Sequence, residues 1–248
     1  MTQNPRKAAL ITGAGRNIGR ATVLMLAGEG FDVVVNGSSD RAAAEAVAAE
    51  ARALGVQALV AMGDVGRRDE CRRLAAEALA AFGTIDVLVN NAALRPQKPF
   101  LEIGPEDWSR VMAVDLEAAV WLSQAVLPGM IAQGWGRIVN FTGMNAIHGY
   151  AGRAPVSVAK HGAWGLTKAL AKEFAAQGVT VNAVSPGPIA ADDDEPGVEN
   201  ARSGYVAKVP SRRMGTPAEV ASVVRLLVSE GGAYVNGQML QVNGGAET

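Results

Sequence analysis

Short apolar runs alternate with amphipathic stretches of helical period along the whole chain. The seven strand-like runs are Ala8–Thr12, Asp32–Asn36, Ala58–Met62, Val87–Asn90, Ile138–Phe141, Thr180–Val184 and Gln238–Val242. The six helical stretches are Asn17–Gly28, Arg41–Leu54, Arg68–Phe82, Pro105–Gln133, Val156–Gln177 and Pro217–Ser229. Apolar strands separated by helices are typical of right-handed βαβ units, in which helices cover both faces of a parallel sheet. The pattern therefore predicts one α/β domain over residues 1–248, a doubly wound parallel sheet of about seven strands.

One segment, residues 188–215, interrupts this alternation. It is irregular and contains the acidic run Asp192–Glu195. Long irregular segments inside compact domains tend to be lids or binding loops, so we expect 188–215 to cover a substrate. The acidic run is equally consistent with a solvated face.

Composition excludes several classes of partner. The formal net charge is −1, which provides no electrostatic footprint for nucleic acid or an anionic membrane. Cys71 is the only cysteine, so no disulfide forms within the chain, and we expect no metal site. The first residues carry no apolar targeting segment, and the apolar runs are too short to span a bilayer. We therefore expect a soluble cytoplasmic protein.

A glycine-rich turn links the first strand to the first helix. Its glycines are Gly13, Gly15 and Gly19, a spacing that differs from the usual G-x-G-x-x-G fingerprint. A turn in this position sets a pyrophosphate against backbone N–H groups at a helix N-terminus. Asn17 lies between the second and third glycines, and asparagine tolerates positive φ better than most residues. The turn therefore predicts nucleotide binding.

The glycine-rich turn is the first of several segments that follow one another in a characteristic order. They are Thr12–Gly19, Asn90–Ala93, Ser185–Gly187 and Val242–Gly245, together with Lys160. In order and spacing they resemble the short-chain dehydrogenase/reductase family over essentially the whole chain, in particular its 3-oxoacyl-[acyl-carrier-protein] reductase-like members. The resemblance implies a Rossmann-type fold, a nicotinamide cofactor and a small-molecule substrate. It also implies a homodimer or homotetramer built through the two long helices.

The resemblance also implies a set of cofactor contacts. These are Gly13, Gly15, Arg16, Asn17, Ile18, Gly19, Ser38, Ser39, Arg41, Asp64, Val65, Asn91, Ala92, Lys160, Pro186, Gly187 and Ile189. Two of the family's glycines are replaced, one by Asn17 and one by Ala93.

The end of the second strand indicates which nicotinamide cofactor is preferred. An NAD site carries an acid there for the ribose 2′-hydroxyl, but by resemblance that position is Gly37. Asp40, three residues later, is better interpreted as a helix N-cap. The nearby donors for a 2′-phosphate are Arg16, Ser38, Ser39 and Arg41. NADP(H) is therefore favoured over NAD(H), although both arginines are also compatible with an ordinary surface role.

The resemblance fails at the catalytic positions. The family's tyrosine, four residues before its lysine, is Val156, and its serine is Gly143. The family's asparagine is Asp115, and the threonine after its Pro-Gly motif is Ala191. Lys160 alone is kept, and an ion pair with Asp115 would engage it. An aliphatic side chain cannot donate a proton, and a positioned acid contributes roughly 10²–10⁴-fold to such a reaction.

Three nearby residues are candidates for a displaced acid. They are His148, Tyr150 and Thr142, although Thr142 should point to the opposite face of its strand. Three functions remain open: an NADP(H)-linked oxidoreductase with atypical chemistry, a catalytically inactive nucleotide-binding homologue that acts as a scaffold or partner subunit, and a non-redox enzyme such as a lyase. The retained nucleotide segments favour the first.

Overall fold

The structure, a computed structural model, describes residues 6–191, 206–207 and 209–247. The acidic run Asp192–Glu195 and most of the expected lid lie outside the described residues. Within the described part, Ile189 forms an isolated parallel bridge with Gly215. The two ends of the predicted lid are therefore adjacent.

Seven strands form one parallel sheet, as the alternation predicts. The strands are β1 Ala8–Ile11, β2 Asp32–Gly37, β3 Ala58–Met62, β4 Val87–Asn90, β5 Gly136–Phe141, β6 Val179–Pro186 and β7 Met239–Val242. Their order in the sheet is β3-β2-β1-β4-β5-β6-β7, and every pairing is parallel. The order reverses between β1 and β4. At such a switch point the loops diverge and leave a crevice at the carboxyl ends of the strands.

Helices cover both faces of the sheet. They are α1 Asn17–Gly28, α2 Arg41–Ala53, α3 Arg68–Phe82, α4 Pro105–Met112, α5 Ala118–Gln133, α6 Ala154–Phe174 and α7 Pro217–Val228. Alternate strand residues face opposite sides, so Ile11 packs with Leu26 and Val224 of α1 and α7. Leu10 packs with Leu74 and Leu122 of α3 and α5 on the other face. The two apolar layers explain why apolar residues on both faces dominate the strands.

The stretch predicted as one helix, Pro105–Gln133, contains a π-helical segment at Ala113–Glu117 between α4 and α5. The stretch is long and apolar enough to cross a membrane by composition, but half of its most apolar window is buried in the protein. The expectation that every apolar run is too short to span a bilayer is therefore wrong for this stretch by length and composition, although half of that window packs inside the protein. The π-helical segment contains Asp115 and buries it in the interior.

Candidate active site

A large cleft lies at the carboxyl ends of the strands, where the sheet order reverses. It is open to solvent, with an empty volume of about 3040 Å³, and its walls are the loops that follow β1, β2, β3, β4, β5 and β6. Sixteen of the seventeen expected cofactor contacts line it. They are Gly13, Gly15, Arg16, Asn17, Ile18, Gly19, Ser38, Ser39, Asp64, Val65, Asn91, Ala92, Lys160, Pro186, Gly187 and Ile189.

The glycine-rich turn has the backbone that a bound phosphate requires. Gly13 has φ of +60°, and a Cβ there would approach the Ala92 Cα to 3.0 Å. At Gly19 a Cβ would collide with the carbonyl oxygen of Gly13. Asn17 has φ of +49°, so asparagine takes the left-handed conformation expected of it. The N-terminus of α1 is therefore open to close approach by a ligand.

Two asparagines hold this turn in place. Asn91 donates from Nδ2 to the carbonyl oxygens of Thr12, at 2.9 Å, and Gly13, at 3.0 Å. Asn36 accepts from the Gly13 N–H at 3.4 Å and donates to the carbonyl oxygens of Ala61 and Gly63. Asn36 was not anticipated as a site residue. The sequence signal for Asn36 is a polar residue near the end of an apolar strand. In the structure its side chain is buried and both its amide oxygen and its amide nitrogen form hydrogen bonds.

The end of β2 offers no carboxylate at its last residue, Gly37, and Asp40 is engaged as the N-cap of α2. Its Oδ1 accepts from the Ala43 N–H at 2.9 Å. Arg41, also an expected donor, is not among the residues that line the cleft and pairs with Glu45, four residues along the same helix, at 3.6 Å, so its contact with a cofactor stays a prediction. The expected donors that line the cleft here are Arg16, Ser38 and Ser39.

Asp64, after β3, forms an ion pair that the sequence did not reveal. Its Oδ2 lies 2.8 Å from Nη1 of Arg110, and its Oδ1 accepts from the Gly66 N–H at 2.9 Å. Burial alone would raise the pKa of Asp64. The hydrogen bonds from Arg110 and Gly66 and the Arg110 charge together hold it below its ordinary value. Asp64 is therefore ionised and paired where it borders the cleft.

Lys160 and Asp115 form a buried ion pair. Lys160 Nζ lies 3.3 Å from Asp115 Oδ2 and donates to the Phe141 carbonyl oxygen at 3.0 Å. Asp115 Oδ1 accepts from the Leu94 N–H at 2.7 Å. Burial lowers the pKa of Lys160; Asp115 opposes that shift and Arg95 reinforces it. The retained lysine is thus held at the floor of the cleft, with two polar partners.

Gly143 and Val156 occupy the two positions at which the resemblance implies a serine and a tyrosine. Gly143 has φ of +89° and ψ of 174°, a region that only glycine occupies without strain. Val156 is 1% exposed and packs with Val111 and Ala159. Backbone and packing at the two positions therefore both suit the residues that are present.

The three candidate acids are placed differently. Thr142 lines the cleft, but its hydroxyl donates to the Val184 carbonyl oxygen at 3.2 Å, away from the cleft as expected. His148 lies outside the cleft lining and pairs with Glu247, and its role as an acid stays a prediction. Tyr150 lines the cleft and is 39% exposed. Of the three, Tyr150 is the group best placed to reach a bound substrate.

Comparisons with known proteins find relatives over nearly the whole chain. The family model described as "Enoyl-(Acyl carrier protein) reductase" matches residues 13–247. The chain is 36% identical over 239 residues to the 3-oxoacyl-[acyl-carrier-protein] reductase FabG of Staphylococcus epidermidis, covering 96% of this chain and 98% of the relative. It is 41% identical over 247 residues to the 3-oxoacyl-[acyl-carrier-protein] reductase of Synechocystis, covering 99% and 98%. The crystal structure of acetoin dehydrogenase YohF from Salmonella typhimurium superposes with a TM-score of 0.90 at 33% identity, covering 97% and 95%.

Proposed function

The chain belongs to the short-chain dehydrogenase/reductase family, and on this premise we propose that it is an NADP(H)-linked oxidoreductase acting on a small carbonyl or alcohol without the family's usual serine and tyrosine. The observation that supports the proposal is the open cleft at the carboxyl ends of the strands, which sixteen of the seventeen expected cofactor contacts line, Lys160 among them. Fold resemblance alone would not suffice, because function resides in the site.

The residues present fit a nicotinamide dinucleotide. Gly13 and Gly19 lack the Cβ atoms that would fill the turn, and Asn17 supplies the left-handed residue. The N-terminus of α1 would face the pyrophosphate, and Pro186 and Gly187 line the opposite wall. The cofactor, when bound, exchanges hydride with the substrate.

The preference for NADP(H) rests on the end of β2. Gly37 presents no carboxylate that would repel a 2′-phosphate, and Asp40 already accepts a hydrogen bond from its own helix. Arg16, Ser38 and Ser39 would donate to the phosphate oxygens.

Tyr150 is proposed as the displaced acid. Lys160 is an unsuitable donor, because its Nζ is engaged by Asp115 and by the Phe141 carbonyl oxygen. Its proposed role is to position the nicotinamide ribose. The phenol of Tyr150, at the open cleft wall, would instead protonate the developing alkoxide.

Titration calorimetry with NADPH and NADH, followed by turnover on a panel of small carbonyl compounds, tests the proposal. We expect micromolar NADPH binding, weaker NADH binding, and a loss in kcat of about 10²-fold or more in Tyr150→Phe with unchanged NADPH affinity. Tyr234→Phe is the matched control, since Tyr234 is fully exposed and outside the cleft lining. Failure of both nucleotides to bind would refute the oxidoreductase assignment.

One observation favours a second candidate, a nucleotide-binding homologue without catalysis that serves as a scaffold or partner subunit. Val156 is packed into an apolar cluster and Gly143 has glycine-only backbone, so both catalytic positions are adapted to their loss. Stoichiometric NADPH binding without turnover on any substrate would support it. Consumption of substrate without nucleotide oxidation would instead indicate a non-redox reaction such as a lyase.

We also propose that the protein is a homodimer or homotetramer in the cytoplasm. The helices α4, α5 and α6 expose large apolar side chains, Trp108, Ile131 and Val158, which are 37%, 37% and 45% accessible in the single chain. Light scattering coupled to size exclusion would give a mass of two or four times 25.6 kDa.

A further inference from the structure

Two arginines line the cleft without a carboxylate partner among the described residues. They are Arg95, in the loop after β4, and Arg153, directly before α6. Their basic neighbours are paired, Lys98 with Asp107 at 2.6 Å and Arg110 with Asp64 at 2.8 Å. Uncompensated guanidinium groups in a cleft attract and orient anions.

The two loops that carry these arginines are joined. The Lys98 N–H donates to the Gly152 carbonyl oxygen at 2.8 Å. A Cβ on Gly152 would lie 3.0 Å from the Gln97 side chain, so the two loops are in close contact. Arg95 is also close enough to Lys160 for its charge to contribute to the lowered pKa of that lysine. Both arginines therefore lie at the end of the cleft that contains Lys160 and Tyr150, which we call the substrate end.

The carboxylates that line the cleft lie elsewhere. Within the described part of the chain they are Asp40 and Asp64, both at the nucleotide end. Asp40 caps α2, and Asp64 is neutralised by Arg110. The positive charge at the substrate end is therefore not offset by an acidic side chain of the described cleft wall.

We propose that Arg95 and Arg153 bind an oxyanion on the substrate, so that the substrate is a small carbonyl or alcohol compound bearing a carboxylate or a phosphate. This inference rests on the proposed function, because it assigns the substrate class of the same cleft. A guanidinium presents parallel N–H donors that match both oxyanions in a bidentate manner. Binding through the anion would leave the carbonyl free to face Lys160 and Tyr150.

The test is calorimetric titration with three probes that share one benzaldehyde ring: 4-formylbenzoate, 4-formylphenyl phosphate and the neutral methyl 4-formylbenzoate. Each is titrated with and without saturating NADP⁺. We expect at least one anionic probe to bind about tenfold to a hundredfold more tightly than the ester, the range that charge-assisted hydrogen bonds provide. The better anion identifies the group recognised. Arg95→Gln and Arg153→Gln should each reduce the preference by about tenfold. Arg72→Gln, on the exposed surface of α3, should preserve it.

Equal affinity for charged and neutral probes would overturn the proposal, as would a preference unchanged in both cleft variants or no detectable binding of either anion. If the anionic probe no longer binds when the protein is saturated with NADP⁺, the proposal is also overturned, because the arginines would then bind the nucleotide. NADPH titration of the same samples separates the two claims. An anion preference without NADPH binding refutes only the proposed function, and NADPH binding without an anion preference refutes only this inference.

Discussion

Replacement of Gly143 by alanine should destabilise the protein through its backbone alone. Gly143 has φ of +89° and ψ of 174°, where a residue with a Cβ is strained by roughly 1–3 kcal/mol. The Cβ itself would meet open space, since the nearest atom is the Pro186 carbonyl oxygen at 3.8 Å. Alanine also reduces the entropy of the unfolded chain, which restores about 0.4–1 kcal/mol. The net loss should be roughly 1–2 kcal/mol.

Urea unfolding followed by circular dichroism measures this loss as a lower midpoint at unchanged slope, with wild type and variant at one protein concentration. Thermal unfolding should show a fall in Tm of about 2–8 °C for a chain of this length. Gly28→Ala is the control, because Gly28 ends α1 with ordinary φ and its new Cβ would have no atom within 4 Å. It should be neutral or stabilising by up to about 1 kcal/mol. A Gly143→Ala variant as stable as Gly28→Ala would refute the strain argument.

Three further predictions concern the end of β2, the buried ion pair of Lys160 and Asp115, and the buried thiol of Cys71. Gly37→Asp should reverse the cofactor preference, because the new carboxylate repels the 2′-phosphate of NADPH and accepts a hydrogen bond from the 2′-hydroxyl of NADH. In calorimetry NADPH binding should weaken by about tenfold or more, while NADH binding is kept or improved. The side chain fits, since a Cβ at Gly37 meets only ordinary contacts. Asp115→Ala should cost about 3–5 kcal/mol in urea unfolding, since it leaves Lys160 charged and buried, whereas Glu50→Ala at the exposed Arg20–Glu50 pair should cost about 1 kcal/mol or less. Similar losses would contradict this. Burial chiefly raises the pKa of the Cys71 thiol from 9.0 to about 11. The unfolded thiol therefore ionises first, and from pH 9 towards 11 the free energy of unfolding should fall more steeply in the wild type than in Cys71→Ala.

The fold was predictable because its determinants are local. Apolar runs and helical periods predicted all seven strands and the helical stretches, with ends shifted by up to three residues where caps rather than periodicity decide. They did not predict the π-helical segment that divides Pro105–Gln133. The conformation of the glycine-rich turn was predictable for the same reason, since Gly13, Asn17 and Gly19 each act through their own backbone.

The parts of the site that were missed depend on tertiary contacts. Arg110 meets Asp64 across 46 positions of sequence, and Arg95 and Arg153 share one end of the cleft only because two loops pair. Arg41 was assigned to the cleft from proximity in sequence, but it lies on the first turn of α2, where Glu45 is one helical turn away. Spacing along the chain cannot reveal which way such long side chains turn.

The environment of Gly143 and Val156 bears on how activity should be sought. Val156→Tyr would have to displace the packing of Val156 with Val111, and Gly143→Ser would place a side chain on glycine-only backbone. Restoring both side chains therefore does not restore the family's site. A double variant without activity would carry little information about the cofactor cleft, which is formed by other segments. Tyr150→Phe removes one hydroxyl and leaves backbone and core intact, so a selective loss of kcat in that variant is the more direct measure of whether this cleft performs chemistry.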